Sequence, residues 1–345
     1  MAFQKLNSIN EYFNILGCKR NYSRQLIKCE ICNSNEFEVI CSHTDTGNNI
    51  LAPVEVQACK KCGFLMQNPR FEKEFYEKYY EEFYPFMRAR SQSNKPGDPT
   101  NVGKKTQMDN EGNPNEFGYE IAIERANNFY NYLNKIKLKI TNKKLLDVGC
   151  GCGGFLELFK RKGYVVKGND PDIKSANFAI KKGLKVDVIQ GEKMEYKEKF
   201  GLIIIIGSLE HCHNPNTILK KCWEYLDEDG IIVLEGRYYP ISESFRWLNS
   251  NHHRFLTDKS AQAILVKHGF EIILSTTDPV SGENTGRNGG GFAFAKKNSN
   301  AKRYLDIDDQ KKLIAKLKEL ELIQNIPSLR EMLKKHDEKF DINFS

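Results

Sequence analysis

Asp147 and Asp170 bracket a glycine-rich turn, Gly149-Cys150-Gly151-Cys152-Gly153-Gly154, that separates two apolar runs. Leu145, Leu146 and Val148 form the first run and Tyr164-Val165-Val166 the second, with a helical pattern from Phe155 to Lys162 between them. This reads as strand, turn, helix and strand, the opening unit of a doubly wound α/β sheet whose crevice takes an adenosine-type ligand. Glycine suits the turn because the chain needs unusual dihedrals there, and because a Cβ would hold the ligand off the backbone. Gly149, Gly151 and Gly154 also satisfy G-x-G-x-x-G, the spacing of a dinucleotide site. Asp147 opposes that reading, since its carboxylate would face a pyrophosphate across a low-dielectric crevice. The same carboxylate suits S-adenosylmethionine, which has no phosphate and carries an ammonium and a sulfonium. Asp170, at the tip of the second strand, takes the ribose hydroxyls in either case.

A second pattern lies upstream. Cys29-Glu30-Ile31-Cys32 and Cys59-Lys60-Lys61-Cys62-Gly63 are two C-x-x-C knuckles separated by 26 residues. Each short loop lets both thiolates point at one tetrahedral metal, so a structural zinc on Cys29, Cys32, Cys59 and Cys62 is expected. Four protein thiolates leave no open coordination position, which suits structure rather than activation of water. Cys41 and His43 are the alternative ligands nearby.

Histidine titrates in the range a proton acceptor needs. His211 follows the apolar run Phe200 to Ile206 and is the first candidate base; His213, His252 and His253 come next. Glu210 and Glu235 are placed to orient a base or bind hydroxyls, and Arg237 and Arg254 to clamp a phosphate.

These residues carry a family resemblance. Asp147-x-Gly149-x-Gly151-x-Gly153 resembles the first motif of class I S-adenosylmethionine-dependent methyltransferases, and further segments follow in the expected order between about Asn142 and Lys297. Val186 to Met194 resembles the third strand and its adenine-side loop, with Glu192 and Met194 as cofactor contacts. Phe200 to His211 resembles the fourth strand and the loop under the methyl group, with Ser208 as a further contact. Leu226 to Glu235, Gly269 to Ile273 and Gly291 to Ala295 resemble the last three strands. One departure is Gly201, where the fourth strand often opens with an acid.

The resemblance implies an α/β fold, a Rossmann-like seven-stranded methyltransferase sheet with a small N-terminal zinc ribbon and a short helical C-terminal tail. The organisation expected is an N-terminal segment (1–25), zinc ribbon (26–70), aromatic helical linker and lid loop (71–140), methyltransferase domain (141–297) and C-terminal appendage (298–345). The combination resembles bacterial sugar methyltransferases, especially deoxysugar C-methyltransferases of surface-glycan pathways. The tail is shorter than in those enzymes, and Asn251-His252-His253-Arg254-Phe255 stands where they carry a His-Glu-His type run. The resemblance therefore favours O-methylation of a nucleotide-linked or phosphorylated sugar, with sugar C-methylation and zinc-finger RNA methylation as the alternatives.

Composition fits these expectations. A chain of 345 residues has room for one full α/β core and smaller modules. Its formal charge of +7 is dispersed in Lys/Glu mixtures rather than gathered on one stretch, which counts against a nucleic-acid partner. The N-terminus lacks an apolar signal core and no run approaches a membrane span, so a cytoplasmic protein without membrane insertion is expected. The segment around Tyr76 to Tyr84 is unusually aromatic, a packing surface or a platform for a sugar face. Leu313, Leu317, Leu320 and Leu322 mark an amphipathic tail suited to packing or homo-oligomerisation.

Overall fold

The computed structural model describes residues 4–46, 50–84, 107–109, 111–237, 248–282, 290–298, 300 and 308–324. Most of the expected lid loop and the end of the tail therefore lie outside the described residues, as do the side chains of Arg237, Leu320 and Leu322.

Seven strands form the central sheet: β1 (Lys144–Val148), β2 (Val165–Asn169), β3 (Val186–Asp187), β4 (Phe200–Ile205), β5 (Leu226–Arg237), β6 (Phe270–Thr276) and β7 (Gly290–Lys297). They lie in the order β3-β2-β1-β4-β5-β7-β6. β1 to β5 pair in parallel, whereas β7 runs antiparallel to both β5 and β6. The order reverses between β1 and β4, and a doubly wound sheet opens its ligand crevice beside such a switch point.

Side-chain alternation explains why β4 reads as an unbroken apolar run. Leu202 and Ile204 pack with Leu145, Val233, Phe129, Phe159 and Phe294 on one face. Ile203 and Ile205 join Leu146, Ile232, Leu234, Leu219 and Ile264 on the other. A strand covered on both faces needs apolar side chains at every position. Gly201 also finds its reason here: a Cβ at that position would lie 1.9 Å from the Asn142 carbonyl oxygen. Where an acid often stands, this chain has brought its own backbone.

The N-terminal region is not a separate bead. Phe37–Cys41, Val56–Cys59 and Leu65–Gln67 form an antiparallel ribbon, and Arg254–Phe255 adds the fourth strand, in register with Met66 and Leu65. Cys29, Ile31, Cys59, Cys62, Phe64 and Met66 pack into the same core as Leu146 and Ile203 of the central sheet. The helix Asp308–Gln324 folds back over this ribbon. Its Leu313, Ile314 and Leu317 are buried with Ile40, Val56 and Phe255, so these side chains of the tail pack within the chain.

The short helix Ile9–Leu16, capped by Ser8 and ended by Gly17 in the left-handed region, buries Tyr12, Phe13 and Leu16. These meet Phe71, Phe75, Tyr76, Tyr79, Tyr80 and Phe83, with the Phe71 and Phe75 rings 4.2 Å apart. The helix Lys73–Lys78 then widens into a π-turn over Tyr79–Phe83. Packing thus accounts for most of the aromatic segment, and the widened turn carries the remainder toward the crevice.

Candidate functional site

A cleft of about 500 Å³ opens at the C-terminal ends of β1, β2 and β4. Its floor is the glycine turn. The Gly149 and Cys150 amides both donate to the Asn169 carbonyl, at 2.9 and 3.0 Å, which folds the turn across the tip of β2. Gly149 has a positive φ, and a Cβ there would sit 2.4 Å from that of Ser208. Gly151 also has a positive φ but faces open space, with no atom within 4 Å of a Cβ built on it. Gly149 is required by protein packing, whereas Gly151 leaves room for something the protein does not supply.

Both acids border this space. Asp170 accepts from the Gly151 amide at 2.7 Å and the Asp172 amide at 2.9 Å, one on each carboxylate oxygen. These bonds fix its plane while leaving lone pairs for a ligand, since an ionised carboxylate offers about four acceptor sites. Asp147 is 4% exposed. Burial, reinforced by the Asp170 carboxylate, raises its pKa to about 8, with Arg125 pulling the other way. The Asp170 carboxylate disfavours ionisation of Asp147, and an arriving cation would relieve it.

The opposite wall holds the histidines. A single turn, Leu209–His211, follows β4 and brings Glu210 and His211 beside His252. The His211 and His252 rings lie 4.7 Å apart in a T-shaped arrangement. His211 Nδ1 lies 3.1 Å from the Asn251 carbonyl oxygen, a contact that places a proton on Nδ1. Tyr76, Tyr80 and Tyr84 line the same cleft, and the Tyr80 hydroxyl donates to the His211 carbonyl at 3.3 Å.

Asp147, Gly149, Gly151, Asp170, Glu192, Ser208, His211 and His252 all line the cleft. Ser208 donates to the Val148 carbonyl at 2.6 Å, and Glu192 accepts from the Asn214 amide at 2.8 Å. Three expected site residues stand elsewhere. The Met194 side chain is fully buried in the core, its backbone oxygen is taken by Lys221 and Tyr225, and its amide donates to the Gly191 carbonyl. Gly153 serves packing, because a Cβ there would meet Leu184 at 2.6 Å. His253 is buried, with its ring 3.7 Å from that of Tyr76 and its Nδ1 on the Cys212 carbonyl. Burial, with Arg70 and Arg254 nearby, holds its pKa well below the ordinary histidine value, so it stays neutral.

Arg254 is likewise not available to clamp a phosphate. It is fully buried and donates through Nε and Nη2 to Glu30, at 2.7 and 2.8 Å. Glu30 sits between the cysteines of the first knuckle and also receives Arg70 at 2.6 Å. The two arginines outweigh the burial penalty and hold Glu30 at a pKa of about 2. Their remaining N–H groups reach the carbonyls of Leu209, His213 and His253. One carboxylate of the N-terminal module thereby fixes the wall that carries His211 and His252. Sequence reasoning missed Glu30, Arg70 and Arg125; a charged residue between two clustered cysteines was the only available signal.

The four cysteines come together in space. Cys29 Sγ lies 3.5 Å from Cys62 Sγ, Cys32 Sγ lies 3.5 Å from Cys59 Sγ, and all four sulfurs are within 4.8 Å of one another. His43 is engaged instead with Ser42 and the Leu6 carbonyl.

Residues 120–275 match the family model described as a methyltransferase domain. This stretch is a methyltransferase domain. Among curated proteins, it resembles the ubiquinone biosynthesis O-methyltransferase of Histophilus somni, 30% identical over 113 residues that cover 29% of this chain and 48% of the relative. The protein of the same name from Azorhizobium caulinodans is 27% identical over 164 residues, 41% of this chain and 64% of the relative. The chain therefore spans about half to two-thirds of the length of these relatives. A solved structure of magnesium protoporphyrin IX methyltransferase from Synechocystis PCC 6803 superposes with a TM-score of 0.44 at 13% identity, covering 67% of this chain and all of that one. The matched stretch contains the glycine turn, both acids, Glu210, His211, His252 and Arg254, and excludes all four cysteines.

Replacing Glu30 by alanine leaves two buried guanidiniums without their counter-charge. Breaking such a group from one side costs about 3–5 kcal/mol. Denaturant unfolding of Glu30→Ala is expected to show a loss of this size, and a change within experimental error would contradict the bridging role.

Proposed function

We propose that the protein transfers a methyl group from S-adenosylmethionine to a hydroxyl of a sugar. The observation that carries the donor half is the pairing of Asp147 and Asp170 around an open Gly151. The residues fit the donor. Asp170 binds the ribose hydroxyls, and Asp147 meets the cationic ammonium that its raised pKa invites. Arg125, on the cleft wall beside Asp147, suits the donor carboxylate. The open space over Gly151 admits the ligand against backbone. A pyrophosphate in this position would meet two acids, which disfavours a dinucleotide.

The acceptor reading rests on the opposite wall. Tyr76, Tyr80 and Tyr84 offer ring faces to the apolar side of a sugar, and the Glu210–His211–His252 cluster handles the hydroxyl proton. Holding the hydroxyl oxygen and the methyl carbon in line supplies several kcal/mol of the barrier by orientation alone. Because Arg254 is committed to Glu30, a phosphate on the acceptor is not part of this reading. An aryl hydroxyl is the second reading, favoured by the O-methyltransferase name of the curated relatives.

Cys29, Cys32, Cys59 and Cys62 suit a structural zinc. A tetrahedral ion with Zn–S bonds of about 2.3 Å places sulfurs roughly 3.8 Å apart, and the observed spacing needs little adjustment to meet that. Such an ion would hold the first knuckle, and hence Glu30, in place.

Four measurements test these assignments. Donor binding requires ionised Asp147, so a proton must leave when the site is filled below pH 8. Affinity for S-adenosylmethionine is expected to rise with pH, by up to about tenfold per unit, and to level off near 8. A pH-independent affinity, or an Asp147→Asn variant with the same profile, would contradict this. His211→Ala is expected to lower turnover by about 10²–10⁴-fold while keeping donor affinity. Methyl incorporation into phenols or RNA but not into sugars would overturn the acceptor assignment and leave the donor standing. Metal analysis of protein prepared without chelator should find about one zinc per chain, lost in Cys29→Ser along with turnover more than donor affinity. Metal-free protein of full stability would remove the zinc.

A further inference from the structure

A general base needs one nitrogen, yet the cleft wall gathers three donors. One atom each from Glu210, His211 and His252 lies within 4.8 Å of the other two. Glu210 is 4% and His252 3% exposed, so the cluster is screened little by water, while His211 and His252 both line the cleft. His211 is turned as a metal-ligating histidine is, with its Nδ1 tied to the Asn251 carbonyl and one of its ring nitrogens among the three clustered atoms. The two segments that meet here are locked together. The His253 amide donates to the Glu210 carbonyl at 2.9 Å, and Arg254 reaches the Leu209 carbonyl.

We propose that Glu210, His211 and His252 bind a divalent transition-metal cation at the acceptor end of the cleft. Two imidazoles and a carboxylate favour manganese, iron, cobalt or zinc over magnesium and calcium, which prefer all-oxygen sites. Bonds of about 2.1 Å require ligand atoms roughly 3–3.5 Å apart, so the side chains close by about an ångström on binding. The remaining positions face the cleft, where the acceptor hydroxyl coordinates. That use, unlike the binding itself, rests on the methyl-transfer reading above. The cation lowers the hydroxyl pKa and the proton departs to solvent. The alkoxide oxygen then forms its bond to the methyl carbon as the carbon–sulfur bond breaks, and the electron pair remains on sulfur in S-adenosylhomocysteine. His211 acts here as a ligand, its lone pair on the metal.

The test titrates the zinc-loaded full chain with Mn²⁺ and follows free Mn²⁺ by electron paramagnetic resonance. The wild type should take up one Mn²⁺ per chain without losing zinc. Removing residues that merely support a ligand costs about 10–100-fold in affinity, so Glu210→Gln and His252→Gln should lose at least that much. Unchanged zinc content and S-adenosylhomocysteine affinity in both variants would show that the fold survives. No uptake by the wild type, or equal uptake by all three proteins, would overturn the site. Site-dependent uptake with methyl transfer indifferent to Mn²⁺ would overturn the catalytic role. Wild-type protein that takes up Mn²⁺ but fails to bind S-adenosylhomocysteine would sink the methyl-transfer reading and leave the cation site standing.

Discussion

The buried contact of Glu30 with Arg70 and Arg254 is the interaction on which the arrangement depends. Three charges away from water are costly, and the cost is offset by the bonds the guanidiniums make to Glu30 and to three backbone carbonyls. Arg70 follows the ribbon in sequence, Arg254 belongs to the methyltransferase domain, and Glu30 belongs to the first knuckle. The carbonyls they engage are those of the turn after β4 and of the segment that carries His252. Hydrophobic packing holds the ribbon against the sheet but has no directional preference. The guanidinium forks supply the direction.

The two walls of the cleft follow opposite rules. On one side, Asp147 and Asp170 border the glycine turn, Asp170 held by backbone amides and Asp147 beside Arg125. On the opposite wall, Glu30, Arg70 and Arg254 hold one another behind the histidines, and the surface offered is aromatic and imidazole with the Glu210 carboxylate beside it. This division suits a methyl donor that arrives positive and leaves neutral.

Much of this was legible in the sequence. Strand tips followed by glycine or acid mark the crevice, because the sheet must end where the apolar run ends; Asp147, Gly149, Gly151 and Asp170 were picked out in that way, and all four line the cleft. The cysteine spacing likewise announced a cluster whose sulfurs are in fact adjacent. The failures have a common cause. A linear pattern locates a loop near the cleft but does not say which side chain turns inward. Met194 follows Glu192 by two residues and points into the core, and His253 follows His252 by one and packs on Tyr76. Arg254 looked free because its partner lies 224 residues away. Gly201 read as a departure until the Asn142 carbonyl was found in its place.

That separation of 224 residues also has a consequence in time. A ribosome adding roughly 5–20 residues per second delivers Arg254 about 10–45 s after Glu30. The strand that completes the ribbon, Arg254–Phe255, arrives with it. During that interval the knuckle cysteines are already synthesised, while Glu30 has only Arg70 to meet. The nascent N-terminal module therefore has its Glu30–Arg70 pair without the second guanidinium, and an open sheet edge along Leu65–Gln67. Its protection until the far end of the sheet emerges is a matter for whatever holds unfinished chains.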